Sequence, residues 1–180
     1  MILQKKKNTF IRRIQRFFPN FAIMNISWSE IKPYENELPT NYADRIGRLY
    51  TDTVTAAFKK SNGQFFTPVS IAYFMGRQIS VNKDFISVLD PGCGTAILSC
   101  AVIENLVLQS KVKRIELVTY ETDENLIPGL QKVLEYITMW GMRHNVRIDC
   151  RSYCEDFILS NYSVLRSEEH TSELQSRQVI

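Results

Sequence analysis

Between residues 85 and 150 the chain alternates short strand-like runs with longer helix-like stretches, and this alternation limits the possible folds more than any other feature. Strands are predicted over 85–89, 114–120 and 146–150, and helices over 96–109 and 124–140. Strands that alternate with helices pair in parallel through right-handed crossovers. The pattern therefore predicts an α/β, Rossmann-like fold with about three parallel strands and flanking helices.

The two helices of this unit differ in pattern. The first is almost wholly apolar, as expected for a helix packed on a sheet. The second is predicted to end at a Gly141 C-cap. Its apolar residues share one face: Leu126, Leu130, Val133, Leu134 and Ile137.

Two further helices are predicted before the first strand. Residues 41–60 repeat apolar side chains at three and four positions: Ile46, Leu49, Tyr50, Val54, Ala57 and Phe58. After a Ser-Asn-Gly break, Thr67 is a candidate cap and Pro68 suits a first helical position. The expected buried stripe of that helix comprises Ile71, Phe74, Met75 and Ile79.

Residues 1–40 are predicted to form a basic, partly helical N-terminal segment and a linker. The net charge of the chain is only +3, but Lys5, Lys6, Lys7, Arg12, Arg13 and Arg16 crowd this end. They indicate either an arm that contacts phosphates or the solvated face of an amphipathic helix. Pro19, Pro33 and Pro39 indicate a loosely structured connection over 20–40.

Composition narrows the class of protein further. No apolar run approaches the roughly 20 residues of a membrane span, and no secretory signal is visible, so a cytoplasmic protein without membrane partners is expected. The four cysteines lack metal-ligand spacing, which favours free thiols over zinc and predicts no metal site. With 180 residues, the chain is long enough for one domain with a sizeable core.

The last fifteen residues do not have a globular pattern. Residues 166–176, RSEEHTSELQS, can be back-translated into a widely used sequencing-library adapter, and residues 176–180 fit its continuation. Residues 166–180 are therefore predicted to be a translated artefact without a fold, and the native sequence is predicted to continue differently after Leu165.

The stretch VLDPGCGTA, residues 88–96, places an acid at a strand end and two glycines directly after it. Ligands of open parallel sheets bind outside the carboxyl ends of the strands. Glu121 and Asp156 follow the next two strands, so three acids are expected at one edge of the sheet. The loop lacks the lysine of a P-loop and full G-x-G-x-x-G spacing, and the acids disfavour phosphates.

Acids at this edge favour a ligand with hydroxyl and amine donors. Glu121 is suited to accept hydrogen bonds from both ribose hydroxyls of a nucleoside. Asp156 could accept from an exocyclic amine, with Phe157 against the base. An adenosine with a cationic amino-acid end, S-adenosylmethionine, is the cofactor that this set predicts.

Four segments resemble the motifs of N6-adenine DNA methyltransferases of restriction-modification systems. They are 63–68, GQFFTP (motif X), 90–95, DPGCGT (motif I), 120–123, YETD (motif II), and 156–157, DF (motif III). The order, with motif X first, is similar to that of fused restriction-methylation enzymes and type I modification subunits. The resemblance covers roughly residues 41–159, and residues 41–165 are predicted to form the cofactor-binding part of the methyltransferase domain.

The resemblance implies an S-adenosylmethionine-dependent DNA adenine-N6 methyltransferase. Double-stranded DNA is its implied partner in the full-length protein, and restriction or specificity subunits are further partners that the resemblance implies. The cofactor-binding residues that it implies are Phe66, Thr67, Asp90, Pro91, Gly92, Cys93, Gly94, Glu121, Thr122, Asp156 and Phe157.

The sequence departs from the family pattern in two ways. Ala96 stands where a glycine is usual, and the catalytic N-P-P-[YF] motif, which holds the extruded adenine, is absent from the sequence. No catalytic residue is therefore assigned, and the chain as given is predicted to be an inactive N-terminal fragment. The alternatives are a non-catalytic cofactor-binding or assembly subunit, and a methyltransferase acting on RNA or protein.

Overall fold

The computed structural model of the protein describes residues 26–55 and 64–162. A 3₁₀ turn, Trp28–Glu30, precedes eight helices and strands in the described residues. In chain order these are α1 (Pro39–Thr51), α2 (Val69–Gly76), β1 (Phe85–Asp90), α3 (Ile97–Gln109), β2 (Arg114–Tyr120), α4 (Ile127–Arg143), β3 (Arg147–Tyr153) and α5 (Phe157–Ser160).

The three strands form one parallel sheet in the order β1-β2-β3. The register is continuous, from Phe85 opposite Arg114 to Asp90 opposite Thr119, and β2 pairs with β3 along its whole length. The predicted α/β class, with three parallel strands and flanking helices, is confirmed. The strand bounds differ from the prediction mainly at β3, which runs three residues beyond Cys150.

One face of the sheet, called the covered face below, is buried under helices. On β2 it carries Ile115, Leu117 and Thr119, each fully buried. The other face, called the open face, carries Glu116, Val118 and Tyr120 on the same strand, all only half-buried. This alternation follows the two-residue period of a strand, in which successive side chains point to opposite faces.

The helices form one hydrophobic core with the covered face. The core includes Ile103 of α3, Leu117 of β2 and Ile137 of α4. Helix α1 packs against both α3 and α4, and α2 packs against α3. Helix α3 thus has neighbours on several sides, which explains why its sequence is apolar almost all round.

Helix α1 differs from its predicted bounds. It begins at Pro39, two residues before the predicted start, and ends at Thr51, well short of Lys60. The sequence predicts Pro39 in a linker, but the residue occupies the first turn of the helix, where its missing N–H costs nothing. Ile46 and Tyr50 are buried as predicted, whereas Leu49 is exposed. The predicted Ala57 and Phe58 lie outside the described residues.

The predicted buried stripe of α2 is wrong. Ile71, Phe74, Met75 and Ile79 are all exposed, and the buried residues of the helix are Ala72 and Gly76. A Cβ added to Gly76 would lie 2.7 Å from the backbone of Ala101 in α3. The small residues therefore face α3 because the two helix backbones approach closely there. Pro68 is the residue before the helix, and Thr67 makes no capping hydrogen bond there.

The end of α4 also differs from the prediction. Gly141 lies within the helix, which continues to Arg143, and Asn145 adopts the left-handed conformation with φ 59°. The N–H of Val146 donates to the Gly141 carbonyl at 2.9 Å, and that of Asn145 donates to the Met142 carbonyl at 3.1 Å. These two bonds form a Schellman motif with an asparagine in the place where glycine is usual.

The predicted division into segments stays a prediction, because residues 1–25 and 163–180 lie outside the described part of the chain. In the residues that the structure describes, no helix is long and apolar enough to cross a membrane.

Candidate functional site

A cleft of about 230 Å³ lies at the carboxyl ends of β1 and β2. Most of the predicted site residues line it: Phe66, Thr67, Asp90, Gly92, Cys93, Gly94, Glu121 and Thr122. The other lining residues are Gln64, Phe65, Ile97, Leu98 and Leu126. The structure thus brings together segments from before β1, after β1 and after β2.

The loop between β1 and α3 forms one wall of the cleft. The N–H of Cys93 donates to the carbonyl of Tyr120 at 2.9 Å, which ties the loop to the end of β2. Asp90 ends β1 and accepts from the Ser99 hydroxyl at 2.5 Å. Burial raises the pKa of the Asp90 carboxyl, and the Ser99 hydrogen bond opposes that shift. Asp90 is thus a partly buried acid held at the cleft.

The two glycines of this loop have different roles. A Cβ on Gly92 would meet no heavy atom of the described residues within 4 Å apart from its chain neighbours, so the backbone there faces open space. A Cβ on Gly94 would lie 3.3 Å from the Phe66 ring, and Gly94 has φ 54°. A glycine is therefore needed at position 94 because the Phe66 ring lies close and because φ is positive there. Gly92, by contrast, leaves room for a ligand.

Ala96 takes the left-handed conformation directly before α3. Its φ of 60° is unfavourable for a residue with a Cβ, and its side chain is fully buried. The glycine usual at this position in the resembled motif would adopt this conformation without strain. The sequence therefore retains the backbone shape of the loop and gains one buried methyl group.

Glu121 connects the two loops of the cleft. It is 9% exposed, and one carboxylate oxygen accepts from the Gly94 N–H at 2.8 Å. The other oxygen accepts from the Asp123 N–H at 2.9 Å. Because a carboxylate offers about four acceptor positions, each oxygen can still accept from a ligand. Glu121 can therefore hold the loops in place and bind a donor at once.

The segment 64–67 forms the opposite wall, and Phe66 is its anchor. The Phe66 ring lies close to Gly47 of α1 and Gly94 of the loop, and it makes an edge contact with Tyr50 at 6.2 Å between centroids. Phe65, by contrast, is 86% exposed. Phe66 thus fixes the segment to the fold and leaves Phe65 and Thr67 at the cleft.

Asp156 and Phe157 lie farther along the same edge, beyond β3. Asp156 is exposed and caps α5 by accepting from the Leu159 N–H at 2.9 Å. The Phe157 ring makes an edge contact with Tyr120 at 5.1 Å, and Tyr120 stacks on Tyr153 at 4.9 Å. The structure places these two residues, and the exposed Pro91, outside the cleft lining, so their binding roles stay predictions.

Sequence reasoning missed several residues of this region. The lining residues that the sequence does not predict are Gln64 and Phe65 of the GQFFTP segment and the apolar residues Ile97, Leu98 and Leu126 of the predicted helices. Asp123, two positions after Glu121, is 8% exposed and hydrogen-bonded to Tyr50 and Gln64. Its place in the YETD stretch was the only available signal, because Tyr50 and Gln64 are distant in sequence.

All four cysteines are free thiols: Cys93 and Cys100 are buried, Cys150 is partly buried and Cys154 is exposed. Burial raises the pKa of Cys93, with Asp90 and Glu121 adding to the shift, so its thiol stays protonated at neutral pH. Burial also raises the pKa of Cys100 in α3. Over residues 26–55 and 64–162, no group of three or more His, Cys, Asp or Glu side chains could hold a metal ion.

Residues 42–130 match the family model described as N-6 DNA methylase. The matched range contains most of α1, the segment 64–67, both loops of the cleft and the start of α4. Residues 42–130 are therefore similar to the N-6 DNA methylase family over just under half of the chain. The recognition drawn from motifs X, I and II is thereby confirmed at the level of the family.

The chain is also similar to two curated relatives. One is the type II methyltransferase M.AccI of Acinetobacter calcoaceticus, with 31% identity over 90 residues, 50% of this chain and 16% of the relative. The other is the type II methyltransferase M.BsuBI of Bacillus subtilis, with 33% identity over 112 residues, 61% of this chain and 21% of the relative. The chain thus spans about a fifth or less of these relatives.

Among solved structures, the chain is similar to a putative class I S-adenosylmethionine-dependent methyltransferase from Listeria monocytogenes. The TM-score is 0.37 and the sequence identity 21%, over 68% of this chain and 36% of that protein.

Proposed function

We propose that the segment matched by the family model, residues 42–130, binds S-adenosylmethionine in the cleft at the ends of β1 and β2. The observation that carries the proposal is the pairing of an open backbone at Gly92 with two carboxylates, Asp90 and Glu121, that line the same cleft. Carboxylates accept hydrogen bonds from hydroxyl and ammonium groups, which are the donors of this cofactor. The match of residues 42–130 to the N-6 DNA methylase model supports the same cofactor.

The described residues fit this ligand. Glu121 retains acceptor positions for two ribose hydroxyls, and Asp90 is available to a cationic amine. The cleft is smaller than the roughly 300–1,000 Å³ of typical small-molecule pockets. A base would therefore be bound beside it, where Phe157 and Asp156 are predicted to act. When bound, the cofactor supplies an electrophilic methyl group on its sulfonium.

The proposed reaction of the whole protein is methylation of adenine N6 in double-stranded DNA, within a restriction-modification system. The match to the family model described as N-6 DNA methylase supports DNA as the substrate. The 180 residues contain no N-P-P-[YF] sequence to hold an extruded base. We therefore expect the chain alone to bind the cofactor without transferring its methyl group. A cytoplasmic location and restriction or specificity subunits stay predictions.

Calorimetric titration with S-adenosylmethionine tests the binding proposal. We expect Glu121→Ala to weaken binding roughly 10- to 150-fold, because it removes a charged hydrogen-bond acceptor. Glu135→Ala is the matched control, since Glu135 is an exposed glutamate on α4 paired with Lys132. Equal affinity of the unmodified chain and Glu121→Ala would remove Glu121 from the site. Thermal unfolding of each variant separates lost binding from lost folding.

Incubation of the chain with DNA and a cofactor labelled on the methyl group tests the catalytic part. We expect no label on adenine, because the base-holding motif is missing from the sequence. Adenine methylation by the purified chain would show that the described cleft region suffices for catalysis, contrary to the proposal. Parallel reactions with RNA and with protein acceptors identify a different substrate class if label transfers there.

A further inference from the structure

The side chain of Asp123 joins three parts of the chain that are distant in sequence. Its Oδ2 accepts from the Tyr50 hydroxyl of α1 and from the Gln64 amide at the start of the segment 64–67. Its Oδ1 accepts from the Asn125 N–H at 3.0 Å, within its own loop. A buried carboxylate needs such donors to offset the cost of leaving water, and here each donor comes from a different element.

The backbone of the same residue acts on the proposed ligand-binding acid. The Asp123 N–H donates to one oxygen of Glu121 at 2.9 Å, while the Gly94 N–H holds the other at 2.8 Å. The orientation of the Glu121 carboxylate therefore depends on where Asp123 lies. The position of Asp123 depends in turn on Tyr50 and Gln64.

We propose that Asp123 is a positioning residue that fixes the segment 64–67 and the Glu121 carboxylate relative to each other for cofactor binding. The proposal rests on the function proposed above. Asp123 does not itself line the cleft between Asp90 and Glu121, so it acts through its neighbours. Tyr50 and Gln64 are the two donors through which it holds α1 and the cleft wall.

Tyr50 suits a permanent donor in this network. It is 1% exposed, and burial followed by the hydrogen bond to Asp123 raises its pKa far above neutrality. Its hydroxyl therefore stays protonated at neutral pH. Its ring also contacts Phe66, the anchor of the cleft wall. Tyr50 therefore acts on the segment 64–67 at two points, directly at Phe66 and through Asp123 at Gln64.

Tyr50→Phe tests the proposal with the smallest change, because it removes one hydroxyl and keeps the ring. We expect the affinity for S-adenosylmethionine, measured by calorimetry, to fall roughly three- to tenfold, and Asp123→Asn to cause a larger loss. Tyr42→Phe is the matched control. Tyr42 is another buried tyrosine of α1, and its hydroxyl donates to the Ile31 carbonyl at 3.0 Å. We expect this control to lower stability without changing affinity.

Hydrogen exchange without ligand provides a second readout. We expect Tyr50→Phe and Gln64→Leu to speed exchange of the Gly94 and Asp123 amides, which donate to Glu121, and the control not to do so. The effects of the two variants on exchange and on affinity should be less than additive when combined, because both act through Asp123.

The two proposals fail in different ways. If the unmodified chain does not bind the cofactor, the proposed function fails, and unchanged exchange at Gly94 in the variants then overturns the positioning role as well. If the unmodified chain binds and Tyr50→Phe binds equally well, the positioning role is overturned and the proposed function stands. Should Asp123→Asn fail to fold, Tyr50→Phe alone decides.

Discussion

The covered and open faces of the sheet come from the same strands but stabilise the protein in different ways. On the covered face, Ile115 and Leu117 are fully buried beneath the helices. On the open face, Arg114 pairs with Glu116 at 2.7 Å and with Asp149 at 3.1 Å, and these side chains remain partly exposed. The covered face therefore contributes apolar burial, whereas the open face relies on exposed ion pairs that are individually worth little.

The difference shows how the cleft is supported. Parallel sheets usually have both faces covered, but the alternating pattern of β2 makes one face apolar and the other compatible with water. At the carboxyl end, the open face changes from charged to aromatic, with Tyr120 stacked on Tyr153. Asp90 lies at this same end but is in register with Thr119, which is fully buried on the covered face, so the Asp90 end of the cleft adjoins the covered side.

The largest expected effect comes from truncating neighbouring residues on the two faces of β2. Leu117→Ala should lower the free energy of unfolding by about 2–5 kcal/mol, because it removes a fully buried side chain and leaves a cavity. Val118→Ala, one residue later on the open face, should cost about 1 kcal/mol or less. Urea unfolding of both variants measures the difference. Equal losses would mean that the open face is buried in solution.

The sheet was predictable from sequence because strand and helix patterns are local. The bounds of β2 were predicted correctly from residues 114–120, and the apolar face of α4 is buried as expected. Two of the three acids proved to line one cleft because the carboxyl ends of adjacent parallel strands must lie together.

Features set by close packing between distant segments were not predictable. The apolar residues of α2 repeat at helical spacing, yet α3 packs on the side that carries Gly76, and only the distance between backbones shows why. Gly92 and Gly94 look equivalent in the sequence, but only Gly94 lies against Phe66. The role inferred for Asp123 depends on donors that are 59 and 73 residues away, a spacing with no local signature.

Gly76→Ala extends the comparison from the sheet to the helices on its covered side. The new methyl group would meet the Ala101 backbone of α3 at 2.7 Å, so one helix must move. Overpacking of this kind should lower the free energy of unfolding by about 1–3 kcal/mol, even though alanine favours helices. Met75→Ala, on the exposed side of α2, is the control and should change stability by less than about 0.5 kcal/mol. Thermal unfolding distinguishes the two, and a stabilised Gly76→Ala would contradict the close helix contact.

The smallest expected effect concerns two carboxyls, Glu104 on the covered side of the sheet and Asp149 on the open face. Their contributions to stability should change with pH in opposite directions. Glu104 of α3, 3% exposed, accepts from the Thr40 N–H at 2.5 Å, and burial raises its pKa above the ordinary 4.5 despite that bond. A raised carboxyl pKa means that the folded state binds the proton more tightly, so stability falls as pH rises from 4.5 to the folded-state pKa.

Asp149 on the open face behaves in the opposite sense. The hydrogen bond from Arg147, with a further contribution from Arg114, lowers its pKa below the ordinary 3.8. The contribution of Asp149 to stability is present above pH 3.8 and is lost as pH falls through the folded-state pKa.

The urea concentration at the unfolding midpoint, measured between pH 3 and 8, tests both assignments. In Glu104→Gln this midpoint should no longer decline as pH rises above 4.5, and in Asp149→Asn it should lose part of its decline at acid pH. The Asp149 effect should also shrink in high salt, because exposed ion pairs are screened, whereas the Glu104 effect should not. Equal salt sensitivity of both variants would contradict the assignment of one carboxyl to the buried side and the other to the solvated face.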